Sequence, residues 1–321
     1  MLYRPFGKFG SSSALALGGA GVASHWGAVA REEGIATLRE AVASGISLLD
    51  MAPKYGDLRA EQMVGEAFDG SLPRGVRVLT KVLFNEGERD FAGALEESFA
   101  ASLTRMRLQR VDFLLLHNQV VPDEKFGSWP GLAWSTYADK VRPLFATMVA
   151  QGRIAGWGMS AIGASSQMLR ALADTICPEV IEGIANPLDC LGNLHTYDEP
   201  PRPREIIAQA AKHGTAVLGV RAAGAGALTS ALDRSLPEEH PVARDFLRAA
   251  PLRDLAQRWG ESPAALALRY ALAMPGVSSV VLGVKDRSEL TESLKAEAKG
   301  PLTPERVSQV DAVVSKAAKH A

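Results

Sequence analysis

Cys177 and Cys190 are the only cysteines in the chain. Their spacing matches neither a metal-ligand set nor a redox motif, so they read as free thiols in a reducing compartment. The histidines His25, His117, His195, His213, His240 and His320 are scattered without paired ligand spacing, which disfavours a metal-dependent hydrolase. An excess of one charge is also missing. With 35 Lys+Arg against 36 Asp+Glu the net charge is −1, and nothing marks a nucleic-acid footprint. No apolar run is long enough to span a bilayer. Arg4 and Lys8 precede Ala14-Leu-Ala-Leu-Gly-Gly-Ala-Gly-Val-Ala23, which faintly resembles a secretory h-region. Gly18, Gly19 and Gly21 break that run, so a cytoplasmic location is expected and no membrane partner.

What is present is a long series of strand-then-helix signals. The chain has 321 residues, 47% of them hydrophobic, enough for one large core or two medium ones. Residues 2–12 suit a short hairpin. Apolar runs then recur at 14–18, 46–50, 76–82, 111–116, 154–159, 180–184, 215–220 and 277–282. Most are short and continuous, as expected of parallel strands covered on both faces. Helical spacing follows at 31–44, 60–68, from Asp90, around Val141–Val149, and at 165–173, 205–213 and 287–298. Ser262-Pro263 and Thr303-Pro304 each open a further helix, the second amphipathic and C-terminal. Gly18-Gly19-Ala20-Gly21 reads as a permissive turn. Eight such units predict a closed (β/α)8 barrel, with an N-terminal hairpin and an additional C-terminal helix. A doubly wound open sheet is the rival, weakened because no GxGxxG stands between a strand and a helix. No linker-like stretch divides residues 1–321, so one domain is expected.

Function in a barrel gathers at the C-terminal ends of the strands. The stretch Gly45-Ile-Ser-Leu-Leu-Asp50 delivers a carboxylate there, and Tyr55 follows in the loop. Lys81 nearly ends the third strand, and His117 ends the fourth. Each has a plain structural reading: a helix cap, a loop tyrosine, a solvated lysine, a core histidine. All four converging on one barrel mouth favours chemistry. A free phenol has a pKa of ~10, and a neighbouring ammonium is expected to lower it. A carboxylate fixes the ammonium, and an imidazole orients a substrate oxygen. Such a set polarises a carbonyl and protonates the developing alkoxide. It supplies no electrons, so a hydride donor is implied.

Asp50-x4-Tyr55-Gly56, Ala60-Glu61-x3-Gly65, Leu79-Thr80-Lys81 and Asp112-Phe-Leu-Leu-Leu-His117 together resemble the aldo-keto reductases, near the sugar-dehydrogenase-like bacterial members. Tyr3-Arg4-Pro5-Phe6-Gly7 is similar to that family's N-terminal hairpin. The resemblance places the catalytic tetrad on Asp50, Tyr55, Lys81 and His117. It also implies NADP, with NAD possible, bound without a Rossmann domain. Ser160 then bonds the nicotinamide amide, and Glu182 stands where a glutamine usually assists. Arg221 takes the place of a stacking aromatic. Gly224, Gly226 and Leu228 belong to a small-residue loop over the pyrophosphate. Gly283, Lys285, Arg287 and Glu289 mark the adenosine end, where the two cations favour a 2′-phosphate and Glu289 opposes it. Ala161, Glu182, Glu289 and Ser293 depart from the family pattern, and Met51 stands where many members have threonine. Trp26, Phe126, Trp129 and Trp134 are expected to line the pocket for a small carbonyl or sugar substrate, with loop packing the equal alternative. The implied activity is a carbonyl reductase or an alcohol or aldose dehydrogenase. A cofactor-binding redox sensor with negligible turnover, like the channel-associated members, is the competing class.

Overall fold

The computed structural model describes residues 1–318. In chain order its strands are β1 (Tyr3–Pro5), β2 (Ser11–Ser13), β3 (Leu15–Gly18), β4 (Leu48–Asp50), β5 (Arg77–Val82) and β6 (Phe113–Leu116). They continue with β7 (Val120–Val121), β8 (Leu132–Ala133), β9 (Gly156–Ser160), β10 (Val180–Ile184), β11 (Ala216–Val220) and β12 (Ser279–Leu282). Eight of these close a parallel barrel in the order β10-β11-β12-β3-β4-β5-β6-β9. The expected (β/α)8 barrel is therefore the fold. The antiparallel β1–β2 hairpin and the C-terminal helix Pro304–Ala318 flank it. No helix among the described residues is long and apolar enough to cross a membrane.

Alternation along each strand divides the residues between two cores. Ala16, Leu48, Leu79, Phe113, Leu115, Val180, Ala216 and Leu218 fill the barrel interior, and their neighbours Leu15, Leu17, Leu49, Val78, Leu114, Ile181 and Val217 face the helices. The hairpin closes the N-terminal end: Phe6 is fully buried, and the Phe6 and Phe9 rings lie 5.6 and 4.8 Å from that of Phe113. Carried two residues further, the same alternation turns Asp50, Lys81, His117, Ser160 and Glu182 inward at the opposite end. These five residues come from five successive strands of the barrel, β4, β5, β6, β9 and β10. Across the mouth, Gly18, Val220 and Val281 continue the inward rows of β3, β11 and β12. One half of the mouth is therefore polar and the other apolar.

The strands begin later than the apolar runs. At the first two, Ser13 and Ser47 exchange side-chain-to-backbone bonds of 2.9 Å, which replace the ladder at that end. Asp90 and Ser262 cap their helices as their sequence positions predict, accepting from Gly93 N at 2.9 Å and Ala265 N at 3.2 Å. The run Gly18–Gly21 is not a simple turn but leads into a short helix, Gly19–Val22. Its glycines answer to crowding: a β-carbon at Gly21 would stand 2.1 Å from the Val284 carbonyl oxygen, and one at Gly19 would meet the Met51 sulfur. Met51, in the loop after β4, thus packs where only glycine leaves room. The segment between β11 and Ser262, to which the sequence reading assigns no helix, contains two, Pro241–Arg248 and Ala250–Arg258.

Gly158 is the tightest point in the wall that carries the polar residues. A β-carbon there would lie 1.9 Å from the Val180 carbonyl oxygen, across the β9–β10 pair that sets Ser160 beside Glu182. Gly158→Ala is expected to lower unfolding stability by about 1–3 kcal/mol or more, read from denaturant titration. Wild-type stability in that variant would mean that the two strands are free to part.

Candidate active site

Lys81 is the centre of the polar half. Its ammonium is fully buried and meets four oxygens: an Asp50 carboxylate oxygen in a short ion pair, Glu182 Oε1 at 2.9 Å, the Tyr55 hydroxyl at 3.0 Å and the Met51 carbonyl at 3.2 Å. Asp50 comes from the last residue of β4 and Glu182 from the middle of β10, so the contact closes across the barrel. Ser160 Oγ donates to Glu182 Oε2 at 2.5 Å, and the two residues are register partners. Tyr55 reaches in from the loop after β4, with its ring edge-on to His117 at 5.8 Å. Asn118 clasps the backbone of Phe84 with bonds of 2.8 and 2.9 Å and so ties the end of β5 to the end of β6.

Electrostatics follows from this crowding. Burial raises the Asp50 carboxyl, and Glu182 adds to that, against the pull of Lys81. Burial works to raise Glu182 as well, yet Lys81, His117 and Ser160 together hold it below the usual carboxylate value. Burial alone would neutralise Lys81, but the two carboxylates keep it charged, with its pKa well above the ordinary lysine value. The Tyr55 phenol goes opposite to the expectation drawn from its lysine. Burial raises its pKa, Asp50 and Glu182 raise it further, and one ammonium shared with both carboxylates does not compensate. His117 is pushed down to about 3 by burial and by Lys81, so its imidazole is neutral at physiological pH.

Above this floor opens a cavity of about 850 Å³, lined by Asp50, Tyr55, His117, Ser160 and Glu182 at one end and by Gly283, Lys285, Glu289 and Ser293 at the other. On the floor the buried His117 Nδ1 has no hydrogen-bond partner, and Glu182 Oε1 has none beyond its ion pair with Lys81. Trp26, Arg221 and Gly226 line the walls. The Arg221 guanidinium lies over the Trp26 ring at 5.1 Å and bonds Asn193, in a backbone conformation with φ 59°.

Several residues singled out from sequence stand elsewhere. Phe126 is 52% exposed, Trp129 packs on Tyr197 at 5.0 Å, and Trp134 is buried against Tyr137 and beneath Arg170. None of the three lines the cavity, because the loop after β6 pairs β7 with β8 and turns its aromatics onto itself and the helices. Gly224 and Leu228 lie behind the cavity surface, Leu228 fully in the core. Arg287 is turned away and grips Glu33 through bonds of 2.9 and 3.0 Å. Lys285 does reach the cavity, but it is paired with Asp233 at 2.7 Å and Glu289 at 3.3 Å. Asp233, with the neighbouring Arg234 bonded to the Ala225 carbonyl, ties the loop after β11 to the end of β12. The small-residue motif of that loop ends at Leu228, and no sequence signal points to Asp233. Lys54, His25 and Gln119 also line the cavity beside Tyr55 and His117.

His117 makes stability depend on pH. Unfolded, the imidazole takes a proton near 6.5; folded, it refuses one until about 3. Between those values the unfolded chain binds more protons, so stability present above pH 6.5 is lost as pH falls towards 3. At pH 4.5 this amounts to about 2–3 kcal/mol. The stability lost between pH 7 and pH 4.5 should be smaller by about that amount in His117→Gln. Equal losses in both proteins would show that the imidazole is not held neutral by the fold.

Residues 14–315 match the model of the Aldo/keto reductase family. The chain is 26% identical over 311 residues to L-galactose dehydrogenase of Arabidopsis thaliana, covering 94% of this chain and 90% of that protein. Among solved structures, the glycerol dehydrogenase of Gluconobacter oxydans superposes with a TM-score of 0.71 at 22% identity, covering 98% and 95% of the two chains. An aldo-keto reductase from Klebsiella pneumoniae, solved in complex with NADPH, gives 0.70 at 20% identity, covering 98% and 96%. With the family match spanning nearly the whole barrel, this chain belongs to the aldo/keto reductase family.

Proposed function

We propose that this protein is an NAD(P)-dependent oxidoreductase that moves hydride between a nicotinamide and a carbonyl or alcohol, with an aldehyde, ketone or aldose as substrate and Tyr55 as general acid–base. The observation that carries this reading is the Tyr55 hydroxyl, 3.0 Å from the Lys81 ammonium, on the floor of a cavity that also exposes His117.

The residues present fit such a cofactor. The buried His117 Nδ1, without a hydrogen-bond partner, lies at one end of the cavity beside Ser160 and Glu182, and the wall beyond is built of the small residues Ala222, Ala223, Ala225 and Gly226. Ser160 and Glu182 are the partners for the nicotinamide amide. Because the Ser160 proton already goes to Glu182, both side chains offer acceptors there and would read the amide's N–H₂ edge. When bound, the cofactor supplies or accepts the hydride. Tyr55 gives a proton to the substrate oxygen in reduction and removes it in oxidation. Neutral His117 orients that oxygen by donating an N–H and does not compete as an acid. Lys81 anchors the phenol oxygen, and Asp50 anchors Lys81. Trp26, Arg221 and His25 form the substrate side of the cavity.

At the adenosine end Lys285 is the cation available to a 2′-phosphate, which supports NADP over NAD. Its pairs with Asp233 and Glu289 oppose that choice. The sensor reading differs from the enzyme reading in turnover alone.

Tyr55→Phe is expected to slow hydride transfer by about 10²-fold or more while cofactor affinity stays within a few-fold. Near-wild-type turnover would refute the assignment of Tyr55. For cofactor choice, Glu289→Gln should tighten NADPH binding relative to NADH by about tenfold, and added salt should erode that gain. Lys285→Ala should weaken NADPH selectively. If the NADPH-to-NADH ratio is the same in both variants as in wild type, this end of the cavity does not read the 2′ position.

A further inference from the structure

The floor of the site holds one more carboxylate than its chemistry requires. Proton transfer through Tyr55 needs an ammonium and a group to fix it, and Asp50 already fixes Lys81. Glu182 is a second carboxylate on the same ammonium, 2.9 Å from Nζ, with its side chain 3% exposed. An ammonium has three N–H donors and no acceptor. They go to Asp50, Tyr55 and the Met51 carbonyl, and Glu182 Oε1 holds the ammonium by charge alone, as a fourth oxygen around it. The neutral phenol oxygen is the weakest acceptor of the four, since hydrogen bonds to ionised acceptors are about twice as strong.

Resting on the proposed oxidoreductase reading, we propose that Glu182 is a positioning residue that shares the Lys81 ammonium with Asp50 and keeps the Tyr55 phenol in its proton-donating form at neutral pH. In reduction the hydride goes to the carbonyl carbon, the carbonyl π electrons move onto oxygen, and the Tyr55 O–H proton leaves for that oxygen. The reverse step requires Tyr55 as phenolate, to take the alcohol proton. One positive and one negative charge beside the phenol would nearly cancel. A second negative charge leaves the neighbourhood net negative and opposes the phenolate.

The titratable groups that face Tyr55 come from several elements. Asp50 stands on β4, Lys81 on β5 and Glu182 on β10. His117, at the end of β6, is neutral, as its depressed pKa shows. His25 lies in the loop after β3 at 6.3 Å between rings, and burial together with Arg221 lowers its pKa. Arg221 follows β11 with its charge directed at Trp26, and burial lowers it to about 10. Lys54 lines the cavity beside Tyr55. These last cations favour the phenolate, yet the net direction for Tyr55 is upward, with burial the largest cause and Asp50 and Glu182 adding to it. Glu182 differs from Asp50 in one respect. It bonds Ser160; since both carboxylates line the cavity, Glu182 is placed to act on Tyr55 and on whatever occupies the floor.

The test is Glu182→Gln, with Glu182→Met as a second neutral variant if the amide is not accommodated. Asp50 still pairs Lys81 in both. The Tyr55 phenol is titrated in the cofactor-free protein by its ultraviolet difference spectrum, with Tyr55→Phe in each background subtracted to remove the other tyrosines. We expect the titration to move down by about one pH unit or more in the neutral variants, and to stay near wild type in Glu182→Asp. The limb of the pH–rate profile of carbonyl reduction that reports Tyr55 should move down by the same amount. A Tyr55 titration that does not move in folded Glu182→Gln or Glu182→Met overturns the proposal. A titration that moves in a protein with no turnover upholds the role of Glu182 in holding the phenol protonated and refutes the oxidoreductase reading instead.

Discussion

The structure depends on one buried cation. Lys81 lies at the end of β5, fully buried, and it is tolerable there only because Asp50 and Glu182 reach it from β4 and β10. Removing one partner of such a buried pair costs about 3–5 kcal/mol. The contact is therefore a strong constraint on register. A slip of one residue in β4 or β10 would turn its carboxylate towards the helices and strand the ammonium. The same constraint brings Tyr55 and His117 together, because Lys81 holds the phenol and His117 ends the neighbouring strand.

The rest of the barrel serves that constraint. Phe6, Phe9 and Phe113 plug the N-terminal end, so the interior is dry below the polar layer. Gly158 allows β9 and β10 to approach closely enough for Ser160 to bond Glu182. The apolar half of the mouth, from β11, β12 and β3, leaves the space into which the cavity extends. Asp233 and Lys285 join the loops at its far end.

The barrel and the polar strand ends Asp50, Lys81 and His117 are legible in the sequence because both follow from period-two alternation and a carboxylate, lysine or histidine two residues past an inward apolar one. Ser165–Ala173, Val180–Ile184 and Arg287–Ala298 have the bounds that the pattern predicts. The helices Pro241–Arg248 and Ala250–Arg258 are less legible because their apolar residues are few. Glu182 is visible as an unusual residue, but its contact with Lys81 depends on barrel closure, which no local pattern encodes. Trp129 and Trp134 mislead for a physical reason: a loop aromatic buries itself against the nearest partner, here Tyr197 and Tyr137, whether or not a cavity is close. The upward shift of Tyr55 is hidden for the same reason as the Glu182 contact, since it needs both carboxylates in place.

The central claim is that the floor around Lys81 performs hydride and proton transfer and does not merely bind a nucleotide. Single-turnover reaction with reduced cofactor deuterated at the transferring carbon tests this most directly, using a panel of aldehydes, ketones and aldoses. The account predicts that deuterium appears on the carbinol carbon of the product, that the added proton on oxygen comes from solvent by way of Tyr55, and that the cofactor is oxidised in equal amount. Cofactor that binds tightly yet stays reduced across the panel, or product that carries no label on carbon, would contradict it.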